Sequence, residues 1–462
     1  MPTGRLQELR AKHSALIYES FTCERFAGNL KLTYQFKLEP EVAFSPVVII
    51  PAPAGFAAPE FQTFVFHLGL IELLSYWKAA CPSRIVIRAG MLNDEQIAWW
   101  RDLYLHGLGE FFYRNKIDFS PVDFLCFEID STREIPSCAL PLLEGELVLV
   151  GGGKDSSLML EILRKSECRR KRACVLNPIR SAIDSVRIAQ YEAPIVVERS
   201  IDPGLIALNA QGYLNGHTPF SAYLAFLGSF VGALCGYSRV LVANESSANE
   251  AALSYHGMPI NHQYSKSVRF EKRFREYAQK YLCDSIEYFS ILRPLNDLQV
   301  SRFFAQCTEH HSSFRSCNVG QKRDVWCGEC PKCAFVYLTL YPFLSQDRLQ
   351  AIFGADLMQH PMIELQLLQI LGVQDHKPFE CVGTIEESRA ALLLAAQKHK
   401  LANTPLPGAL RRLCEQVAAI ERPNLAHAQS LLTHWNGEHF LPPRYAKMLH
   451  EVAMESSFSD EA

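Results

Sequence analysis

Two spacings of apolar residues take turns through the middle of the chain. Short apolar runs of strand length stand at 146–150 (Glu-Leu-Val-Leu-Val), 173–176, 195–197 and 239–243. Segments of helical period lie between them; the first, at 158–165, has Leu158, Ile162 and Leu163 apolar and Glu161, Arg164 and Lys165 charged. Strands alternating with helices predict an α/β domain over 141–345, a parallel sheet with helices on both faces. Before it, residues 30–38 alternate apolar and polar, 47–50 form a short apolar run, and 84–88 read as another strand. Residues 61–80 have helical period closed by Pro82, and Asn93 caps a helix reaching Tyr104. These predict an α+β N-terminal domain over 1–140. From 346 to 462 the period is mostly helical, clearest at 392–396 and 426–435, with Pro405, Pro407 and Gly408 in a loop between and a disordered acidic tail at 456–462.

The stretch 218–236 carries no charge and is long enough to span a bilayer. It contains three Gly, two Ser and a Tyr, and lacks a flanking Lys/Arg cluster. With Thr218 as cap and Pro219 as first helical residue, it predicts a buried helix against the sheet. The 462 residues are 48% hydrophobic and 21% charged, enough for two or three soluble domains. A net charge of −3 gives no global nucleic-acid footprint. Fifteen cysteines and an N-terminus without a signal-like apolar segment predict a reducing cytoplasm.

The run at 146–150 leads directly into Gly151, Gly152, Gly153, Lys154, Asp155, Ser156 and Ser157. The glycines let a ligand approach the backbone, the polar side chains cap amides, and the positive end of the following helix faces the loop, so the expected ligand is phosphate. A Walker loop is excluded, because Asp155 stands where it needs Ser or Thr after its lysine. The pattern resembles instead the pyrophosphate loop of the ATP pyrophosphatase (PP-loop) superfamily, Ser-Gly-Gly-x-Asp-Ser, with Gly151 in place of the first serine. That resemblance implies an adenine nucleotide alpha hydrolase-like sheet; a ligand-free glycine turn is the alternative.

The run at 239–243 ends in Asn244 and Glu245. Ligands of open parallel sheets bind beyond the carboxyl ends of strands, so both residues are expected at the same cleft, Glu245 either as a magnesium ligand or as a cap in a strand-end turn. Lys266 and Arg269 are either partners of substrate phosphate or carboxylate or a solvated helix face. The basic run 169–172 either contacts nucleic acid or is a solvated turn near a helix C-terminus. Glu72, Tyr76, Lys78 and the aromatic cluster at 111–116 either line a substrate pocket or belong to core and surface.

Cys317, Cys327, Cys330 and Cys333 form the second motif. Three cysteines in seven residues, with Gly328 and Pro331 turning the backbone, set three sulfurs around one point, and Cys317 supplies the fourth. Four thiolates suit structural zinc; an iron-sulfur cluster is the alternative.

A phosphate loop followed by such cysteines resembles 7-cyano-7-deazaguanine synthase, but that shorter enzyme accounts for nothing before 140 or after 345. Across the whole chain, Leu68-Gly-Leu-Ile-Glu-Leu-Leu-Ser-Tyr-Trp-Lys78, the loop at 151–157, Asn215-Gly-His-Thr-Pro-Phe-Ser221, the cysteines and Lys377-Pro-Phe-Glu-Cys-Val-Gly383 resemble the UDP-N-acetylmuramoyl-L-alanyl-L-glutamate epimerase (MurL) family of bacterial peptidoglycan synthesis. The resemblance implies cleavage of ATP to AMP and pyrophosphate while the terminal L-Glu of UDP-MurNAc-L-Ala-L-Glu is inverted through an acyl-adenylate. In that chemistry the amides of 152–157 hold pyrophosphate, Lys154 neutralises its charge and Asp155 binds magnesium. The partner is the UDP-MurNAc-dipeptide, with neither nucleic acid nor membrane. A tRNA-modifying enzyme of the same superfamily and a non-catalytic nucleotide-binding scaffold are the competing readings.

Inversion needs an acid/base group. Thr384 and Glu387 predict a capping box, which puts Cys381 near the positive end of a helix with Lys377 as a cationic neighbour. Both effects favour thiolate and make Cys381 the candidate base. Glu380 is the alternative base, and a small buried core residue is the alternative role for Cys381.

Overall fold

The computed structural model describes residues 3–53, 58–374 and 376–455. Its strands are β1 (Ala15–Phe26), β2 (Asn29–Leu38), β3 (Val42–Phe44), β4 (Val47–Pro51), β5 (Arg84–Ile87), β6 (Cys126–Ile129), β7 (Leu143–Leu149), β8 (Lys171–Leu176), β9 (Ile195–Ser200), β10 (Tyr237–Val242), β11 (Leu253–Tyr255), β12 (Met258–Ile260) and β13 (Glu287–Ser290). Eleven of them form one sheet in the order β13-β10-β7-β8-β9-β4-β2-β1-β5-β6, with β3 on β2; β11 and β12 pair separately.

From β13 to β9 every neighbour is parallel. The chain moves outward from β7 through β8 to β9, then returns across β7 to β10 and β13. The strand order therefore reverses between β7 and β10, and such a reversal opens a crevice beyond the strand ends.

The sheet does not stop at residue 140. β4 pairs antiparallel with β9, Val48 opposite Arg199, so the N-terminal strands extend the central sheet. A buried ion pair crosses the same seam, with Glu72 accepting two hydrogen bonds from Arg199 at 2.7 and 2.9 Å. β2 shows the alternation its sequence predicts, each apolar residue buried. β1 is not anticipated by alternation, because residues 15–18 lie between β2 and β5 and are all buried, and the pairing register shifts between Tyr18 and Ser20.

Among the described residues two large cores cover the two faces of the parallel strands, and a small third one (Ala15, Ile17, Val86) lies on β1 and β5. One contains helix Gln62–Trp77, helix Phe220–Cys235 and helix Val268–Tyr281; the other contains helix Lys154–Arg164, helix Asp297–Ala305, helix Pro331–Leu340 and the C-terminal helices. The uncharged stretch forms helix Phe220–Cys235, buried as predicted but starting one residue later. Thr218 is not its cap: its hydroxyl accepts from Lys78 Nζ at 2.5 Å. A Cβ at Gly228 would meet Leu149 of β7 and Val240 of β10 at 2.9 Å, so this glycine lets the helix lie close on the sheet. Among the described residues no helix is long and apolar enough to cross a membrane. The Asn93 cap forms as predicted, with Gln96 completing the box. The tail at 456–462 lies outside the described residues.

Candidate active site

After β7 the backbone turns through Gly151, Gly152 and Gly153 into helix Lys154–Arg164. Gly152 has φ +78°, and a Cβ there would lie 2.4 Å from the backbone nitrogen of Ala182, so the turn requires glycine. The loop is also clamped from across the chain. Ser316 Oγ accepts from Lys154 N at 3.2 Å, and Arg315 N donates to Gly152 O at 2.9 Å. Ser156 Oγ accepts from Gly152 N at 3.1 Å, and Ser157 Oγ donates to Gly153 O at 2.9 Å. The loop and the ends of β7 and β10 border a cleft of about 270 Å³, which Gly151, Gly153, Asp155, Ser156, Asn244, Lys266, Arg315, Lys332 and Cys381 help to line.

Asp155 faces this cleft. Burial works to raise its pKa, but Lys154, Lys332 and Lys266 outweigh burial and hold the carboxyl below its ordinary value. Lys154 does not line the cleft. It is fully buried and ion-paired at 2.5 Å with both Asp155 and Asp297, so it neutralises interior carboxylates instead of presenting an ammonium to a leaving group. The lysines at the cleft wall are Lys266 and Lys332.

Glu245 is buried, and its Oε2 accepts from Ala248 N at 3.0 Å, capping the short helix Ser246–Asn249. Burial, followed by the charges of Asp297 and Asp155, raises its pKa. Asp155 and Asp297 thus share one lysine, with Glu245 close enough to feel the charge of all three. Asn244 donates to Ser290 Oγ at 3.2 Å and contributes to the cleft wall.

The sulfurs of Cys317, Cys327, Cys330 and Cys333 all lie within 4.8 Å of one another. Their pairwise distances include 3.9 Å for Cys317–Cys330, 3.7 Å for Cys327–Cys333 and 3.5 Å for Cys330–Cys333. Four thiolates each about 2.3 Å from one ion form a tetrahedron with edges of about 3.8 Å, so the spacing fits a single ion better than a cluster of several metals.

Cys381 lies at the cleft, and Lys266 Nζ donates to its sulfur at 3.3 Å. Burial pushes the thiol up, but Lys266, His262 and Lys332 outweigh burial and bring it down to about 6. The expected neighbour Lys377 is not the cause: it pairs with Glu250 at 3.3 Å. The capping box forms only by half. Thr384 Oγ1 accepts from Glu387 N at 3.0 Å, whereas the Glu387 carboxylate turns to Ser247 Oγ and Asp297 N. Glu380 accepts from Asn318 and does not line the cleft.

Other candidates lie elsewhere. Arg269 pairs with Asp102 at 2.9 Å, and Arg170 donates to the carbonyls of Gly236 and Cys235 at the end of helix Phe220–Cys235. Glu72 is spent on Arg199; Tyr76 OH accepts from Asp202 N; Lys78 holds Gly216 O and Thr218. Phe111 and Phe112 are core. Glu110, His262 and Asp297 carry no sequence motif that would mark them, and Lys332 is marked only by its place inside the cysteine pattern.

Comparisons with known proteins bear on this arrangement. Residues 7–291 match the MurL N-terminal domain, and residues 310–425 match the MurL C-terminal domain. The first match takes in every strand of the sheet; the second contains the four cysteines and Cys381. A UDP-N-acetyl-alpha-D-muramoyl-L-alanyl-L-glutamate epimerase of Micromonospora sp. is 35% identical, covering 97% of this chain and 100% of the relative. Proteins of the same name from Salinispora tropica and Xanthomonas oryzae pv. oryzae are 34% and 33% identical, covering 97% and 94% of this chain and 97% and 96% of theirs. No solved structure matches the chain. Matches that span both halves of the protein, at this identity and coverage, show that the chain is an isomerase and belongs to the MurL epimerase family.

Proposed function

We propose that the protein inverts the terminal L-Glu of UDP-MurNAc-L-Ala-L-Glu to D-Glu, using ATP to activate the glutamate α-carboxylate as an acyl-adenylate and releasing AMP and pyrophosphate. The observation that carries this reading is that the phosphate loop and an acidified thiol open onto one cleft at the strand-order reversal. The names of the relatives support the substrate.

The α-proton beside a carboxylate is a very weak acid, because its loss stacks a second negative charge on the first. Joined to AMP, the carboxyl loses its charge and withdraws electrons, so a side-chain base becomes sufficient. The amides of Asp155 and Ser156, in the first turn of helix Lys154–Arg164, have no intrahelical acceptor and receive the phosphates, while Lys266 and Lys332 offset their charge. Asp155, pinned by Lys154, would hold magnesium, and that ion would supply screening of the phosphate charge. The Cys381 thiolate takes the α-proton, the carbon is reprotonated on its other face, and water attacks the mixed anhydride to return the carboxylate and AMP. Cys317, Cys327, Cys330 and Cys333 would hold zinc, which would brace 315–321 against the phosphate loop. Both co-substrates are nucleotides, so the reaction is expected in the cytoplasm.

The test is incubation with ATP, magnesium and UDP-MurNAc-L-Ala-L-Glu, followed by acid hydrolysis and chiral analysis. D-Glu accompanied by AMP is the expected product. Glutamate that stays wholly L would overturn the reading.

A further inference from the structure

Beside Cys381 stands His262, near enough that each group's charge stabilises the other's. Its Nδ1 lies 2.5 Å from Oε2 of Glu110, which leaves Nε2 for the sulfur. Glu110 is itself fixed by Arg114 at 2.6 Å. These residues come from three distant parts of the chain. Glu110 is on helix Gly109–Arg114, His262 follows β12, and Cys381 precedes helix Ile385–Leu401.

We propose that Glu110 and His262 are positioning residues that hold Cys381 as a thiolate, with His262 as an imidazolium between two anions. An imidazolium donates from both nitrogens, and a carboxylate at Nδ1 fixes the ring with Nε2–H aimed at sulfur. A neutral imidazole has one proton and cannot donate to two anions; beside it the sulfur would have to keep its own proton.

The other groups facing the pair fit this assignment. On the sulfur side are Lys266 and the Lys332 side chain, which donates to the Cys381 carbonyl. On the His262 side is His217, whose ring centre lies 4.4 Å away and whose Nδ1 is 3.5 Å from Glu110. Burial, then His262, push His217 down to about 3, so it stays neutral. Burial also works against charge on His262, but Cys381 and Glu110 outweigh it and raise the imidazole to about 9. One histidine of the pair carries the charge and its neighbour does not.

In the proton-transfer step the Cα–H bond breaks as the S–H bond forms, and the carbon electron pair moves into the activated carbonyl. His262 keeps its proton throughout. This role rests on the epimerase reading, whereas the thiolate–imidazolium pair does not.

The pair is tested without substrate. The full-length protein is alkylated with iodoacetamide across a pH series, and modification of the Cys381 peptide is followed by mass spectrometry. The parent should show a midpoint near pH 6. His262→Gln should move it upward by at least about one pH unit, about a fivefold loss of alkylation rate at pH 6 that approaches tenfold at lower pH. Glu110→Gln, which keeps the ring but weakens its charge, should give a smaller shift in the same direction. An unchanged midpoint in both variants overturns the proposal. Should His262→Gln fail to fold, Glu110→Gln decides alone. If the midpoint shifts but no epimerisation is found with any variant or the parent, the pair stands and the epimerase reading fails.

Discussion

Lys332, set between Cys330 and Cys333, donates a hydrogen bond to the backbone carbonyl of Cys381. The four-cysteine site therefore reaches both sides of the cleft: the phosphate loop through Arg315 and Ser316, and the thiol loop through Lys332. Cys330→Ser should lose bound metal and, with it, hydrogen-exchange protection at 151–157 and 315–321. Metal analysis and peptide-resolved exchange check this; a soluble, metal-free, fully active variant contradicts it.

Gly152→Ala should be more harmful than its size suggests. The left-handed backbone and the nearby Ala182 nitrogen leave a Cβ no room, so the loop must move. Strain of this kind costs about 1–3 kcal/mol where the fold enforces it. Loss of substrate-dependent pyrophosphate release is expected, with a lower unfolding midpoint in urea. Normal release would show that the turn tolerates a side chain.

Lys154→Met removes the cation shared by Asp155 and Asp297. Leaving the buried Asp297 without its partner costs about 3–5 kcal/mol. Urea unfolding should detect this even with no nucleotide present. A change within about 0.5 kcal/mol, as for ordinary surface substitutions, would contradict the buried ion cluster.

Glu387 makes stability depend on pH. Burial first, then the charges of Asp297 and Glu245, raise its carboxyl to about 8. The folded protein therefore binds this proton more tightly than the unfolded chain does. The resulting stability is present below the ordinary carboxylate range and is lost as pH rises toward 8, at up to about 1.4 kcal/mol per unit. Unfolding midpoints at pH 5.5 and 8.5 should differ more for the parent than for Glu387→Gln. Equal differences would show that Glu387 does not titrate in this window.

What was legible in the sequence was local. The glycine loop and the cysteine spacing each place their chemistry within a few turns of backbone, and both gather as the spacing implies. The direction of Lys154 was not legible, because Asp297, which draws it inward, stands 143 positions away. The cations around Cys381 were misassigned for the same reason: Lys377 is near in sequence, but Lys266, His262 and Lys332 are near in space. The joining of the N-terminal strands to the central sheet depends on β4 meeting β9, which no local pattern in either strand announces.

The central claim is that one cleft both activates the carboxylate and removes the α-proton. It is tested most directly in heavy water, with ATP, magnesium and UDP-MurNAc-L-Ala-L-Glu, by measuring AMP and deuterium at the glutamate α-carbon together. The parent should give AMP and deuterated D-Glu, Asp155→Ala neither, and Cys381→Ala should give AMP without α-deuterium. Deuterium incorporation by Cys381→Ala at the parent rate, or by Asp155→Ala without AMP, would contradict the account.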